Sequence, residues 1–456
     1  MPSEKQVIVD ATSYTSTDGR ASEDPRAIIA REPMGRAQVV AVAICIALVA
    51  LDGFDVLSIS FASPGIAAEW HIDRAVLGVV LSMELIGMSA GSIFIGSLAD
   101  RIGRRPVTLV CLVVMAIGMW LATTAHDVTT LSGFRLLTGL GIGGMLASVN
   151  AMAAEFANAR RRNLAVALMA AGYPLGAVVG GSIASRLLAT GTWRSVFGFG
   201  ALVSAAFIPI VWVLMPETIA YLAHRRPTDV LVRVNAVLRR LGHATVSTLP
   251  EPTPDAPRAR IAQLFTPALA RTTVLLTIVY FAHLMTFYFI LKWIPKIVVD
   301  MGFKPSSAGG VLVWANVGGL IGALALSALT QRFAVRRLVV AAMLLSAVMV
   351  TVFGQGQPDL ARLSLVAALA GICTNAVIVG LYAMVAQSFP TAVRAGGTGF
   401  IIGVGRGGAA LGPIVAGFLF SRGAGLPTVA MVMACGSLLA AAALLALRYQ
   451  EQHTAA

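Results

Sequence analysis

Long apolar runs separated by short polar stretches set the plan of this chain. Runs of roughly 18 to 25 residues, each long enough to cross a ~30 Å hydrocarbon layer as a helix, fall near 37–62, 75–99, 106–125, 130–154, 163–187, 195–215, 271–295, 307–330, 337–354, 361–387, 396–419 and 426–447. They predict an all-α membrane protein with twelve transmembrane helices. The polar remainder reads as an N-terminal tail (1–35), a long connection (216–270) and a C-terminal tail (449–456), leaving a six-helix half on either side of the connection (36–215 and 271–448).

The two halves are related by an internal repeat. A shift of 231 residues, without a gap, places Pro64 on Pro295, Gly78 on Gly309, Gly87 on Gly318, Gly91 on Gly322, Arg101 on Arg332 and Arg105 on Arg336. That agreement in one register implies a parallel repeat about an axis along the membrane normal, with a substrate site near the midplane between halves that rock against each other. The same register pairs Asp52 with His283 and Asp100 with Gln331, so the scaffold repeats while the acidic groups stay in the first half.

Composition agrees with this picture. The chain has 456 residues, 57% of them hydrophobic and 12% charged, and a mean hydropathy of +0.82, well above a soluble domain. A net charge of +13 raises the question of nucleic acid. Arginine placement answers it: Arg101, Arg104 and Arg105, then Arg160 to Arg162, then Arg225, Arg226, Arg233, Arg239 and Arg240, and later Arg332, Arg336 and Arg337 occupy alternate loops. Under the positive-inside rule this puts both termini and the 216–270 connection in the cytoplasm. The charge encodes topology, not a nucleic-acid partner. Residues 1–35 hold no apolar core of a cleavable signal. The four cysteines, Cys45, Cys111, Cys373 and Cys435, all lie in predicted spans without metal-like spacing, so neither a disulfide framework nor a metal site is expected.

Several short stretches carry more. "GSLADRIGRRPV" (96–107) joins the second and third spans, with Asp100 among Arg101, Arg104 and Arg105 and glycines that allow a tight turn. It resembles the signature loop of the major facilitator superfamily, Gly-x-Leu-x-Asp-Arg-x-Gly-Arg-Arg, and "SALTQRFAVRR" (327–337) stands where that family keeps a weaker copy. "RLLTGLGIGG" (135–144) resembles the family's fourth-helix motif and "GYPLGAVVGG" (172–181), more loosely, its fifth-helix motif. The resemblance implies a conformational latch formed by Gly96, Asp100, Arg101, Gly103, Arg104 and Arg105, with Arg135 and Glu155. Residues 139–144 and 403–408 also match Gly-x-Gly-x-x-Gly, but neither follows a strand, and close helix packing explains them better than a dinucleotide. "GMSAG" (87–91) matches the hydrolase nucleophile elbow around Ser89, yet it lies inside a helical run where Gly87 and Gly91 suit a packing face.

Polar groups inside the spans point to the site. Asp52 and Asp55 in "LDGFDVLSIS" (51–60) lie about 60° apart on one side of a helix, so both can face an aqueous cavity. "DGFD" resembles an element of the superfamily's aromatic acid:proton symporters, which import benzoate-like carboxylates; "GVGRGGAALGP" (403–413) adds to that likeness. Two carboxylates this close, away from bulk water, disfavour double ionisation, so Asp55, then Asp52, is expected to carry the coupled proton, with Glu84 in the second span as fallback. Arg406, twelve residues past Arg394 and so roughly 18 Å into the eleventh span, demands an anion: the substrate carboxylate, or a protein carboxylate such as Asp52, Asp55 or Glu84. Tyr280, His283 and Phe287 share a face of the seventh span, with Tyr288 and Trp293 nearby, and suit an aromatic ring. Asn375 and Tyr382 on the tenth span are candidates for a ring hydroxyl. Lys292, Lys296 and Lys304 cluster on the expected outer side; they read as drawing in anions or, as the favoured account, as snorkelling to the interface.

The expectation is therefore a monomeric proton-coupled symporter of a monocyclic aromatic carboxylate, multi-pass in a bacterial inner membrane, with no cofactor. A symporter of another organic acid, a proton-driven exporter, a membrane hydrolase using Ser89 and a substrate sensor are the competing readings.

Overall fold

The computed structural model describes residues 24–250, 261–357 and 359–447. Most of the expected N-terminal tail (1–23), part of the connection (251–260) and the C-terminal tail (449–456) lie outside them. Twelve helices are long and apolar enough to cross a membrane. The first set comprises α2 (Arg36–Trp70), α3 (Arg74–Ile102), α4 (Arg104–Thr123), α5 (Val128–Phe156), α6 (Arg162–Thr190) and α7 (Arg194–Leu214). The second comprises α10 (Ala270–Asp300), α11 (Pro305–Leu329), α12 (Val335–Gly354), α13 (Leu360–Gln387), α14 (Thr391–Ser421) and α15 (Leu426–Ala446). Short helices α1 (Pro25–Arg31), α8 (Ile219–Arg225) and α9 (Val230–Leu241) lie at the end of the bundle nearest the termini. No strand occurs among the described residues. The all-α, twelve-span architecture expected from the apolar runs is the architecture observed.

Helix ends depart from the apolar runs where proline sits. The first run fades near residue 62, but α2 continues through Pro64 to Trp70. Pro64 has no N–H for the carbonyl of Ser60, and the Ser63 hydroxyl donates to that carbonyl instead at 2.8 Å. A local hydroxyl thus meets the demand that every backbone polar group in hydrocarbon be satisfied. Its repeat counterpart Pro295 likewise lies inside α10.

Packing follows the small residues. In α3, Gly87 and Gly91 lie against the backbones of Leu136 and Leu140 in α5, and side chains there would collide with carbonyls. Their repeat counterparts Gly318 and Gly322 in α11 meet Ala368 and Ile372 of α13 in the same way. Small residues let backbones approach, and van der Waals contact then holds helices that lipid cannot drive together. The Ser89 hydroxyl donates back to Leu85 within the helix at 3.0 Å, so "GMSAG" is a packing face.

Between the two sets, α3 packs on α14, α6 on α11, and α2 on α10. At the far end, away from the termini, Arg74 of α3 and Asp300 of α10 pair at 3.0 Å, and Lys296 also bonds Asp300. Arg74, Asp300 and Lys296 themselves line a crevice of about 750 Å³, together with His71, Asp73 and Phe420. By contrast, α5 and α13 share at most marginal contact. The two sets therefore touch at the far end more than at the terminal end.

Candidate functional site

A buried charge cluster lies where α2, α3, α5 and α10 meet. Glu84 of α3 forms an ion pair with Arg135 of α5, and its other oxygen stands 3.5 Å from Lys292 Nζ of α10. All three side chains are fully buried. Arg135 also donates to the Asp55 carbonyl at 2.9 Å and lies over the Phe197 ring at 5.2 Å. Lys292 donates to the Val56 carbonyl of α2. Burying three charges is tolerable only because each has a partner; removing one partner of such a pair typically costs about 3–5 kcal/mol.

Asp52 and Asp55 lie beside this cluster, both with zero exposure. Neither faces open water, contrary to the sequence expectation. The Asp52 carboxyl has no hydrogen-bond partner among the described residues, while Asp55 accepts a long bond of 3.5 Å from the Ser204 hydroxyl of α7. The packing of α2 decides this: it sets the Asp55 side chain against Ser204 of α7 and its carbonyl against Arg135 of α5.

Arg406 reaches from α14 to α3. It donates to the Ser92 hydroxyl and, at 3.4 Å, to the Met88 carbonyl. Among the described residues it has no ion pair, so none of Asp52, Asp55 and Glu84 is a permanent partner, although Asp52 is close enough for the two charges to interact. The glycines of "GVGRGGAALGP" explain its placement: Gly405 sits under the Tyr280 ring and Gly408 against the Phe281 backbone, seating α14 on α10. Tyr280 and Tyr382 meet edge to face at 6.0 Å, and Tyr382 is 45% exposed. Phe287 and Tyr288 make a second edge contact at 5.2 Å, with Tyr288 in electrostatic reach of Arg406 and next to the Tyr173 hydroxyl of α6. That Tyr173 hydroxyl is itself buried.

Two other candidates are already occupied. His283 is fully buried inside the second set, its Nε2 donating to the Thr374 carbonyl and its Nδ1 accepting from Ser437, both at 3.0 Å. It is a satisfied core histidine, away from Arg406. The Asn375 amide donates to the Gly319 carbonyl at 2.6 Å.

The signature loop divides. Gly103 adopts φ +110°, which only glycine takes at low cost, and Arg104 pairs with Glu155 at 2.8 Å. Asp100 is exposed and makes no ion pair among the described residues; its carbonyl accepts from Arg225. Glu217 instead accepts from the backbone N–H groups of Arg104 and Arg105, an anion at the start of α4 where the helix dipole favours one. Arg135 does not belong with this loop: twenty residues of α5, about 30 Å, separate it from Glu155.

Lys292, Tyr173, Ser92 and Glu217 went unassigned or misassigned in the sequence. Lys292 in particular does not snorkel. A lone lysine in "FILKWIP", within an apolar run, was the signal that marked it.

Comparison with known proteins follows this geometry. The pattern of the Major Facilitator Superfamily matches residues 43–323 and 276–456. A gallate transporter of Pseudomonas putida is 29% identical, over 92% of this chain and 93% of its own length. The 4-hydroxybenzoate transporter PcaK of Pseudomonas aeruginosa is 30% identical over 92% of this chain and 95% of that one. Among solved structures, the inward open conformation of the xylose transporter XylE from E. coli superposes with a TM-score of 0.70 at 15% identity, covering 91% of this chain and 98% of that one.

Proposed function

Because the chain belongs to the major facilitator superfamily of membrane transporters, we propose that it imports a monocyclic aromatic carboxylate together with protons across a bacterial inner membrane. The two six-helix halves alternate access to a site between them. The protein works as a monomer; the arginine distribution supports cytoplasmic termini, and on that reading the far end of the bundle, where Arg74 and Asp300 pair, is the outer face.

The observation that carries this reading is Arg406. A guanidinium in mid-membrane, held by a hydroxyl and a carbonyl and lacking a carboxylate among the described residues, is suited to a bidentate substrate carboxylate. Around it Tyr280, Tyr288 and Tyr382 offer ring edges and hydroxyls to an aromatic body. Relatives that carry gallate and 4-hydroxybenzoate support the same substrate class. Asp52, without a hydrogen-bond donor, and Asp55 beside it supply the proton sites.

Uptake into proteoliposomes under an inward proton gradient tests this. Benzoates with different ring hydroxylation are expected to accumulate, and aliphatic carboxylates of similar size are not. Equal accumulation of both classes would remove the aromatic assignment, and accumulation indifferent to the gradient would remove proton coupling.

A further inference from the structure

The far-end contact between the halves has two tiers, both carried by α10. The upper tier is the half-exposed group Arg74, Asp300 and Lys296. The lower tier is Lys292, eight residues or about 12 Å deeper, fully buried against Val56 of α2 and Glu84 of α3. Both of Lys292's partners belong to the first half. Glu84, in contrast, has a second cation, Arg135, within its own half.

Opening the outer face must draw α10 away from α2 and α3. Glu84 then keeps Arg135, while Lys292 loses the carboxylate and the carbonyl together. An ammonium stripped of its partners at this depth requires an anion, and it now borders the opened outer crevice. Helix α3 supplies the ruler: Glu84, which holds Lys292, lies one to two turns, about 6–12 Å, outward of Met88 and Ser92, which hold Arg406. The two cations thus mark successive stations on one helix.

We propose that Lys292 is a second carboxylate-recognising residue, covered by Glu84 while the outer face is shut and offered to the substrate carboxylate when it opens, ahead of Arg406. This rests on the reading of an anionic substrate. Exchange of partners also explains why a lysine is placed there: the substrate replaces Glu84, and re-closure returns Lys292 to Glu84 as the substrate moves inward to Arg406.

Sidedness separates this from a plain structural lock. In right-side-out vesicles, Lys292→Gln should raise the external KM for 4-hydroxybenzoate by at least about tenfold, the loss of one charge-assisted hydrogen bond. In inside-out vesicles the KM of Lys292→Gln should stay within about twofold, because in the inward-facing wild type Lys292 is engaged by Glu84 and makes no substrate contact to lose. Lys292→Arg, which keeps the cation, should hold the external KM within about threefold. An external KM unchanged in Lys292→Gln, or one shifted equally on both sides, overturns the proposal.

A second arm needs no substrate and serves if Lys292→Gln does not fold. Glu84→Gln deprives Lys292 of its partner in the shut state, so a cysteine at Ser60, in a background lacking the native cysteines, should be labelled faster from outside by a membrane-impermeant maleimide. Unchanged labelling refutes the Glu84 cover. Wild-type vesicles that take up no benzoate would instead sink the substrate reading, leaving the labelling arm to judge the exchange.

Discussion

Arg406 meets α3 through a serine hydroxyl and a backbone carbonyl, and among the described residues no carboxylate stands within ion-pair distance. A desolvated bidentate partner lost from such a site costs roughly 2–5 kcal/mol. Arg406→Gln is therefore expected to weaken substrate binding by more than tenfold, and Arg406→Lys to rescue it only in part, because an ammonium has no planar fork. Calorimetry with the free acid and its methyl ester checks the reason: the wild type should discriminate strongly between them and Arg406→Gln should not. The carboxylates call for a different readout. Asp55 touches both Arg135, through its carbonyl, and Ser204, through its side chain, so it links the proposed proton site to the charge cluster. Asp55→Asn is expected to abolish accumulation driven by a pH gradient while sparing substrate counterflow, since exchange needs no net proton movement. If Asp55→Asn and Asp52→Asn each retain full pH-driven accumulation in proteoliposomes, neither is the carrier. Glu84 would then have to do that work, although it is already clamped between two cations.

At the scale of elements, the loop between α3 and α4 shows how a helix start becomes a control point. Glu217, just past α7, accepts from two N–H groups at the head of α4, and Tyr221 and Arg225 of α8 bond the carbonyls of Arg101 and Asp100. The connection between halves is thereby tied to the signature loop. Burial pushes the Glu217 carboxyl above the ordinary 4.5, against the pull of the Thr218, Arg105 and Arg104 N–H groups and the Arg104 charge. An acid raised by folding adds stability below its unfolded value and loses that contribution as pH rises through the folded value. Near neutral pH the ionised group is thus a net burden on the fold. Glu217→Gln, which keeps one acceptor oxygen, is expected to unfold at an equal or higher temperature than wild type near neutral pH. The gap should close on acidification below the raised value. A gap that widened as the pH fell would contradict the assignment. Transport turnover in the same variant is expected to drop, because the grip on the loop weakens.

At the scale of the molecule, the Arg74–Asp300 contact at the far end and the near absence of contact between α5 and α13 correspond to one side of the proposed alternating cycle. The exposed Arg74–Asp300 pair contributes little by itself, under about 1 kcal/mol, so charge removal there should change rates modestly. Fastening it is another matter. With cysteines at Arg74 and Asp300 joined by a short bismaleimide, the protein is expected to bind substrate from the terminal side with near wild-type affinity and to transport none. Retained transport after complete cross-linking, measured by mass spectrometry, would show that the halves need not part at that point.

The amino-acid sequence alone determined the twelve spans, the repeat and the signature loop, because these depend on local properties: about 20 apolar residues per crossing, glycines at fixed spacing and arginines on alternate loops. It also marked Asp52, Asp55, Glu84, Arg135, His283 and Lys292, since an ionisable residue stands out against an apolar run, whereas the buried serines and threonines do not. What it did not contain was the partner of each one. Lys292 and Val56 are 236 positions apart and Lys292 and Glu84 are 208 apart, so only the packing of α10 on α2 and α3 made Lys292 a buried bridge and not a snorkelling side chain. The same holds for His283, satisfied by Thr374 and Ser437, 91 and 154 positions away, and for Arg406, which the packing of α14 on α3 sets on Ser92 and Met88. Depth in the membrane is a linear property of a helix and can be counted along the chain; which way a side chain faces, and what meets it there, depends on the rotation of helices against one another, and only tertiary packing sets that.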